Sequence, residues 1–184
     1  MEKIPNKSVD FICADFPYNI SNNNGLTKRG DKIVKSDFGK WDKFHTMGVY
    51  FDFVFRICKQ YKRILKPHGS AVLFFSYRYA GWIGYELERR KLFTFRQPII
   101  FNKLNPLPSY KKNGFRSSYE IGIWLVNDDG DFQIPRTFNF LGQSDMKSVL
   151  NYRIGKFDGE KQTVHPTEKP ERLISQLIEI FTNP

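Results

Sequence analysis

The chain has 184 residues, 40% of them hydrophobic and 16% aromatic, which is enough for one domain with a real core and excludes a disordered tail. No apolar run reaches membrane-spanning length, no signal peptide opens the chain, and no Cys/His cluster has metal-ligand spacing, so a membrane protein and a zinc module are not expected. The formal net charge of +10 favours a polyanionic partner, nucleic acid first, although plain solubility gives the same sign.

Residues 1–8 read as a polar approach to a strand, and Met1 reads as an internal methionine or a late start. Val9-Asp10-Phe11-Ile12-Cys13-Ala14 is apolar and small enough for a buried strand. It breaks at Asp15-Phe16-Pro17-Tyr18, because Pro17 lacks a donor and restricts Phe16. In open α/β sheets ligands sit beyond the carboxyl ends of strands, so Asp15 and Tyr18 are candidate site residues. The bland alternative is a strand followed by an ordinary Pro-Tyr turn. The polar stretch 21–30 reads as a long loop, and Ser36-Asp37-Phe38-Gly39-Lys40-Trp41-Asp42 as either an aromatic plug or a lid.

Tyr50, Val54, Ile57, Tyr61 and Ile64 recur at helical spacing between Met47 and Leu65, with Lys59, Lys62, Arg63 and Lys66 at the helix end. Pro67-His68-Gly69 is expected to stop that helix, and Ser70 to Phe75 to form a second buried strand. A second helix is expected from Tyr79 to Arg90, packing through Trp82, Ile83, Tyr85 and Leu87. A third strand follows over Phe93 to Lys103, and a fourth over Tyr119 to Val126; the non-helical loop between them predicts an antiparallel pair. That loop holds two prolines, and Lys103, Lys111, Lys112 and Arg116 interleave there with Tyr110 and Phe115 as a phosphate-and-base surface or a solvated basic face. Residues 132–163 lack a clear period; Phe132, Phe138, Phe140 and Phe157 are expected to give them a small core. A last helix follows Pro170, with Leu173, Ile174, Leu177, Ile178 and Phe181 on one face. Cys13 and Cys58 sit in apolar contexts and read as reduced core thiols of a cytoplasmic protein.

Four segments together carry a resemblance. Asp15-Phe16-Pro17-Tyr18 is similar to motif IV of the amino-methyltransferases that modify exocyclic amines of nucleic-acid bases, whose usual forms are Asp-Pro-Pro-Tyr, Asn-Pro-Pro-Tyr and Ser-Pro-Pro-Tyr. The Arg63-to-Phe75 unit resembles motif V, Tyr119 to Val126 resembles motif VIII, and His165-Pro166-Thr167-Glu168-Lys169-Pro170 resembles motif X. Their order is that of the permuted β-class of DNA amino-methyltransferases, the N-4/N-6 family, and it covers nearly the whole chain.

The resemblance implies an α/β, Rossmann-like S-adenosylmethionine-dependent fold. It is partial, with strands matching four to seven of a seven-stranded sheet and an antiparallel edge pair. In the family a glycine-rich cofactor loop follows motif X, and this sequence contains none, so a fragment short of about a third of the catalytic fold is expected. Three segments are implied: residues 1–131 as catalytic subdomain, 132–163 as target-recognition region, and 164–184 as the motif X segment and its helix.

The implied activity is methyl transfer from S-adenosylmethionine to adenine N6 in double-stranded DNA after base flipping. An Asp at the first motif position favours adenine, where cytosine-N4 enzymes usually carry Ser. Cytosine N4 as target, or a non-catalytic DNA-binding fragment, are the alternatives. Asp15, Phe16, Pro17 and Tyr18 are the implied catalytic residues. Asp15, His165, Thr167 and Lys169 are implied for the cofactor, and Asn105, Lys111, Lys112 and Arg116 for DNA. Phe16 departs from the pattern, supplying a carbonyl without proline's rigidity. A homodimer and a cognate restriction endonuclease remain open as partners.

Overall fold

A computed structural model describes residues 1–18, 44–109, 112–128, 136–154 and 169–183, and the backbone alone of 26–29 and 32–35. Five strands form one sheet in the order β1-β4-β6-β5-β7, where β1 is Val9–Asp15, β4 Leu65–Phe75, β5 Thr94–Lys103, β6 Tyr119–Val126 and β7 Val149–Tyr152. β1 runs parallel to β4, β6 runs antiparallel to both β4 and β5, and β7 runs parallel to β5. The expected β5–β6 antiparallel pair is therefore present.

β4 is the centre of the core. Residues Ser70 to Phe75 are each 2% exposed or less, so both faces of this strand are covered. Its side chains alternate: Ala71, Leu73 and Phe75 pack with helices α1 (Met47–Ile64) and α2 (Ala80–Arg89). Val72 and Phe74 pack with α3 (Glu171–Phe181) on the other face. A strand buried on both faces needs a continuous apolar run, and 71–75 supplies one. On α3, Leu173, Leu177, Ile180 and Phe181 are buried, each contributing about 1.5–3 kcal/mol as an upper estimate.

Several boundaries differ from the sequence reading. The α1–β4 junction has no intervening loop: Leu65 is already extended, and the pairing with β1 jumps from Val9↔Leu65 to Phe11↔Ser70. Pro67-His68-Gly69 is thus a bulge inside β4. Asn127 holds it, donating from its side chain to the Lys62 carbonyl in the last turn of α1 and to the Leu65 and Lys66 carbonyls at the start of β4. Gly69 fits because a Cβ there would lie 2.8 Å from Leu65 and 3.0 Å from the Asp10 carbonyl.

The 21–30 loop includes strand β2 (Leu26–Arg29), paired antiparallel with β3 (Lys32–Lys35); Gly30-Asp31 between two short β-prone runs is the signal that was available. Residues 36–43 lie outside the described residues. β7 comes from the aperiodic 132–163 stretch, whose four paired residues are too few to show a period. It pairs only with Ile100 to Lys103, so Pro98 in β5 faces no partner on that side.

Of the aromatic residues expected to pack, Trp82 is 45% exposed but lies against Phe51, and Tyr85 is 59% exposed. On α3, Ile180 is buried and Ile178 exposed. Phe138 stacks on Trp124 at 5.2 Å, Phe140 is exposed, and Phe132 and Phe157 lie outside the described residues. Both cysteines are free, and burial pushes the Cys58 thiol up to about 12.

Gly122 on β6 sits where a Cβ would lie 2.7 Å from the Phe101 ring and 3.1 Å from Val72. Phe101 is fully buried and has nowhere to retreat. Gly122→Ala is expected to lower stability by about 1–3 kcal/mol, read as a lower urea midpoint at unchanged m value.

Candidate active site at the carboxyl edge of the sheet

The sheet brings one end of each of its five strands to a common edge. β1 and β4 end there, β5 and β7 end there, and β6 begins there, as the registers Asp15↔Phe74, Asn102↔Tyr119 and Lys103↔Tyr152 require. Asp15 is the last residue of β1 and keeps 39% of its side chain exposed. Lys169, two residues before α3, reaches this edge.

The Lys169 ammonium lies 2.6 Å from Asp15 Oδ2 and 2.9 Å from Glu120 Oε2. Glu120 Oε1 accepts a second ammonium, from Lys103 at 2.7 Å. Tyr18 donates a long hydrogen bond of 3.4 Å to Glu120 Oε2. The Phe74 and Tyr18 rings flank Lys169 Nζ at 4.9 and 5.5 Å. Two carboxylates and two ammoniums thus alternate in a chain of zero net charge, which is how charges persist with little water around them.

Their titration follows from this order. Burial raises the Asp15 carboxyl above its usual range, and the Lys169 ammonium only partly opposes that. Burial also acts on Glu120, but Lys169 and Lys103 outweigh it and hold this carboxyl low. For Lys169, burial is outweighed by Asp15 and Glu120, so its ammonium is held charged above the ordinary lysine value. The Tyr18 phenol is raised by burial and then by the Asp15 and Glu120 charges, so it remains a neutral donor. Cys13 is pushed up to about 11 by burial and then by Asp15, which makes it a poor nucleophile.

Phe16 departs from proline in a way that has a structural use. Its ring is 5% exposed, stacks on Phe75 at 4.7 Å, and meets Phe53 and Tyr61 edge-on at 6.3 and 6.1 Å. Its N–H donates to the Phe74 carbonyl at 3.1 Å, a bond that proline could not make. The backbone after Asp15 is therefore fixed by a hydrogen bond and an aromatic socket. The rigidity that the sequence alone left in question comes from these.

The residues expected to meet DNA are less uniform. The Asn105 carboxamide donates to the Ile154 carbonyl and accepts from the Ile154 N–H, at 2.9 and 2.8 Å, which ties the proline loop to the end of β7. Arg116 donates to the Leu107 and Pro106 carbonyls and braces the same loop. Lys112 is exposed, with its backbone at φ +51°, and Phe115 is fully exposed. Lys103 is taken by Glu120 and is not a free phosphate cation, which corrects its reading as part of the basic loop. Lys111, His165 and Thr167 lie outside the described residues.

Sequence reasoning missed Glu120. Its signal was a lone acid near the start of an otherwise apolar strand; its register partner, Phe101, lies two residues before the lysine that closes the neighbouring strand.

The cationic, amine-bearing S-adenosylmethionine implied by the motifs fits the chemistry here. An outward carboxylate stands beside two aromatic rings, and the site already holds one ammonium. Of the residues implied for the cofactor, Asp15 and Lys169 are described, and Asp15, paired with Lys169, is the more exposed of the two. Among the described residues no group of three His, Cys, Asp or Glu could hold a metal ion. No helix of the described residues is long and apolar enough to cross a membrane.

Comparison with known proteins gives consistent matches. The N6/N4 model, described as DNA methylase, matches residues 9–184. The chain is 31% identical over 184 residues to the type II methyltransferase M2.LlaDCHI of Lactococcus lactis subsp. cremoris, and 28% identical over 186 residues to M2.DpnII of Streptococcus pneumoniae. Each match covers 97% of this chain and 67% of the relative. Among solved structures, the M1.HpyAVI–SAM complex superposes with a TM-score of 0.62 at 23% identity, over 96% of this chain and 68% of that one. The PvuII DNA methyltransferase (cytosine-N4-specific) superposes at 0.71 and 16% identity, over 100% of this chain and 67% of that one. At such identities the two structures speak for the fold alone.

Phe16→Pro, which restores the commoner motif, is expected to destabilise this protein. It empties the aromatic socket and deletes the bond to Phe74, at a cost of about 3–5 kcal/mol judged from buried Phe truncations. Urea denaturation of the two proteins checks it; equal midpoints would show that the socket contributes nothing.

Proposed function

The chain belongs to the N6/N4 DNA methylase family, and from that premise we propose that it carries the target-base site of an enzyme that methylates adenine N6 in duplex DNA. The observation that carries this reading is the half-exposed Asp15 carboxylate at the end of a parallel strand, next to the backbone-pinned carbonyl-bearing residue Phe16. Asp rather than Ser at this position supports adenine over cytosine. The two curated relatives are named type II methyltransferases, which supports the same restriction–modification setting here.

The exocyclic amine of adenine is a weak nucleophile because its lone pair is delocalised into the ring. S-adenosylmethionine supplies an electrophilic methyl on a sulfonium. The chain's own contribution is geometry. The Asp15 carboxylate and the Phe16 carbonyl accept the two N6 hydrogens and turn the lone pair out of the ring plane. Positioning and fixed dipoles of this kind carry most of the catalysis in an in-line displacement. The base leaves the duplex first. Tyr18, at the mouth beside Asp15, stacks on it, a contact worth about 1–3 kcal/mol by alanine substitution. As N6 becomes tetrahedral its proton has the Asp15 carboxylate as nearest acceptor, and burial makes that carboxylate more basic than usual.

Two outcomes test the reading. In this chain joined to the glycine-rich cofactor segment that the motif order leads one to expect, Asp15→Ala should abolish radiolabelled methyl transfer to duplex DNA and leave DNA affinity near that of the parent. Tyr18→Ala should weaken capture of the base and Tyr18→Phe should be mild, since stacking needs the ring. Near-normal turnover by Asp15→Ala would remove this residue from the mechanism, and label found on cytosine N4 in the parent would overturn the base assignment. For DNA contact, Lys112→Ala in this chain should reduce the log–log salt slope of binding by about one, the signature of one lost phosphate contact. An unchanged slope would make Lys112 a solvated lysine only.

A further inference from the structure

The Lys169 ammonium occupies the place where an incoming amine must donate. It lies 2.6 Å from Oδ2 of Asp15, the carboxylate that the proposed reaction offers to adenine N6. A base amine and this lysine therefore compete for one carboxylate. Lys169 has a second carboxylate within reach, Glu120 Oε2 at 2.9 Å. Glu120 is anchored from its other side, since Oε1 accepts from Lys103 at 2.7 Å. It is the second residue of β6 and is held in register opposite Phe101 of β5.

Exposure orders the group. The side chain of Asp15 is 39% exposed, that of Glu120 19% and that of Lys169 11%. Asp15 is the outer carboxylate and Glu120 the inner one. A shift of Lys169 from Asp15 to Glu120 is a small inward movement that keeps the ammonium paired. Without Glu120, freeing Asp15 would leave a largely buried ammonium without a carboxylate, which is costly. In the observed position the Phe74 and Tyr18 rings flank the ammonium.

We propose that Glu120 is a positioning residue that receives Lys169 when an exocyclic amine takes Asp15, so that Lys169 is an exchangeable cap on the catalytic carboxylate. The inference rests on reading Asp15 as the acceptor of that amine. It has a consequence that a purely structural ion pair does not share. Removing Lys169 removes a competitor, so amine binding strengthens. Removing the Glu120 charge confines Lys169 to Asp15, so amine binding weakens.

The experiment titrates adenosine, and purine riboside as the analogue without the exocyclic amine, into the 184-residue chain, Lys169→Met and Glu120→Gln. Binding is read from NMR shifts at about pH 8, where unperturbed carboxylates and lysines are both charged. Adenosine is expected to bind the parent more tightly than purine riboside. Its affinity should rise about threefold or more in Lys169→Met and fall by about that factor in Glu120→Gln, the lower end of the net contribution of one hydrogen bond. Purine riboside affinity should be the same in all three proteins. Should Glu120→Gln fail to fold, Glu120→Asp, which draws the carboxylate back by one methylene, carries the same sign of loss. Variants that shift adenosine affinity in the same direction, or not at all, overturn the exchange and leave the amine contact standing. A parent that binds both nucleosides equally, or neither, overturns the amine contact and the exchange with it.

Discussion

The structure depends most on one ammonium. Lys169 reaches back across 154 residues of sequence to Asp15 and is shared with Glu120. It thereby joins the end of β1, the start of β6 and the loop into α3. What brings it there is apolar packing. Leu173, Leu177, Ile180 and Phe181 seat α3 on the face of the sheet that Val72, Phe74 and Trp124 present. Phe74 belongs to both levels, buried in that core and lying 4.9 Å beneath the ammonium. The hydrophobic face of α3 thus sets the position of a charge, and that charge sets the state of the carboxylate.

The opposite face of the sheet fixes the other half of the site. Phe16 leaves the edge and plugs into the α1 side, between Phe75, Phe53 and Tyr61. Asp15 and Tyr18 remain at the edge. A four-residue segment is therefore held from both layers, its second residue by one core and its first by the ion chain over the other. The common proline obtains stiffness from its ring; this chain obtains it from a backbone hydrogen bond and aromatic contacts.

Much of this was legible in the sequence, for a physical reason. β1, α1 and β6 follow strong local patterns, and the observed Val9–Asp15, Met47–Ile64 and Tyr119–Val126 lie within a residue or two of the expected spans. Asp15 and Tyr18 could be singled out because Pro17 ends a strand beside them. Glu120 was marked only as a lone acid in an apolar strand; its role is given by Lys103 and Lys169, which reach it across the sheet and from just before α3. Lys103 looked like a loop cation because the pairing that removes its charge is tertiary. Asn105 looked available for DNA until its carboxamide was found on Ile154. On α3, Ile178 and Ile180 are both apolar and two positions apart, and only the docked orientation selects the second.

The central claim is that Lys169 and Asp15 act as one unit. A double-mutant cycle on folding stability with Asp15→Asn, Lys169→Met and the double variant, Glu120 being left intact, tests it most directly. The account predicts an interaction energy of about 0.5 kcal/mol or more, reduced from that of a dry pair because Asp15 is partly exposed. Additive effects, within about 0.3 kcal/mol, would show that the two groups are neighbours without coupling and would contradict it.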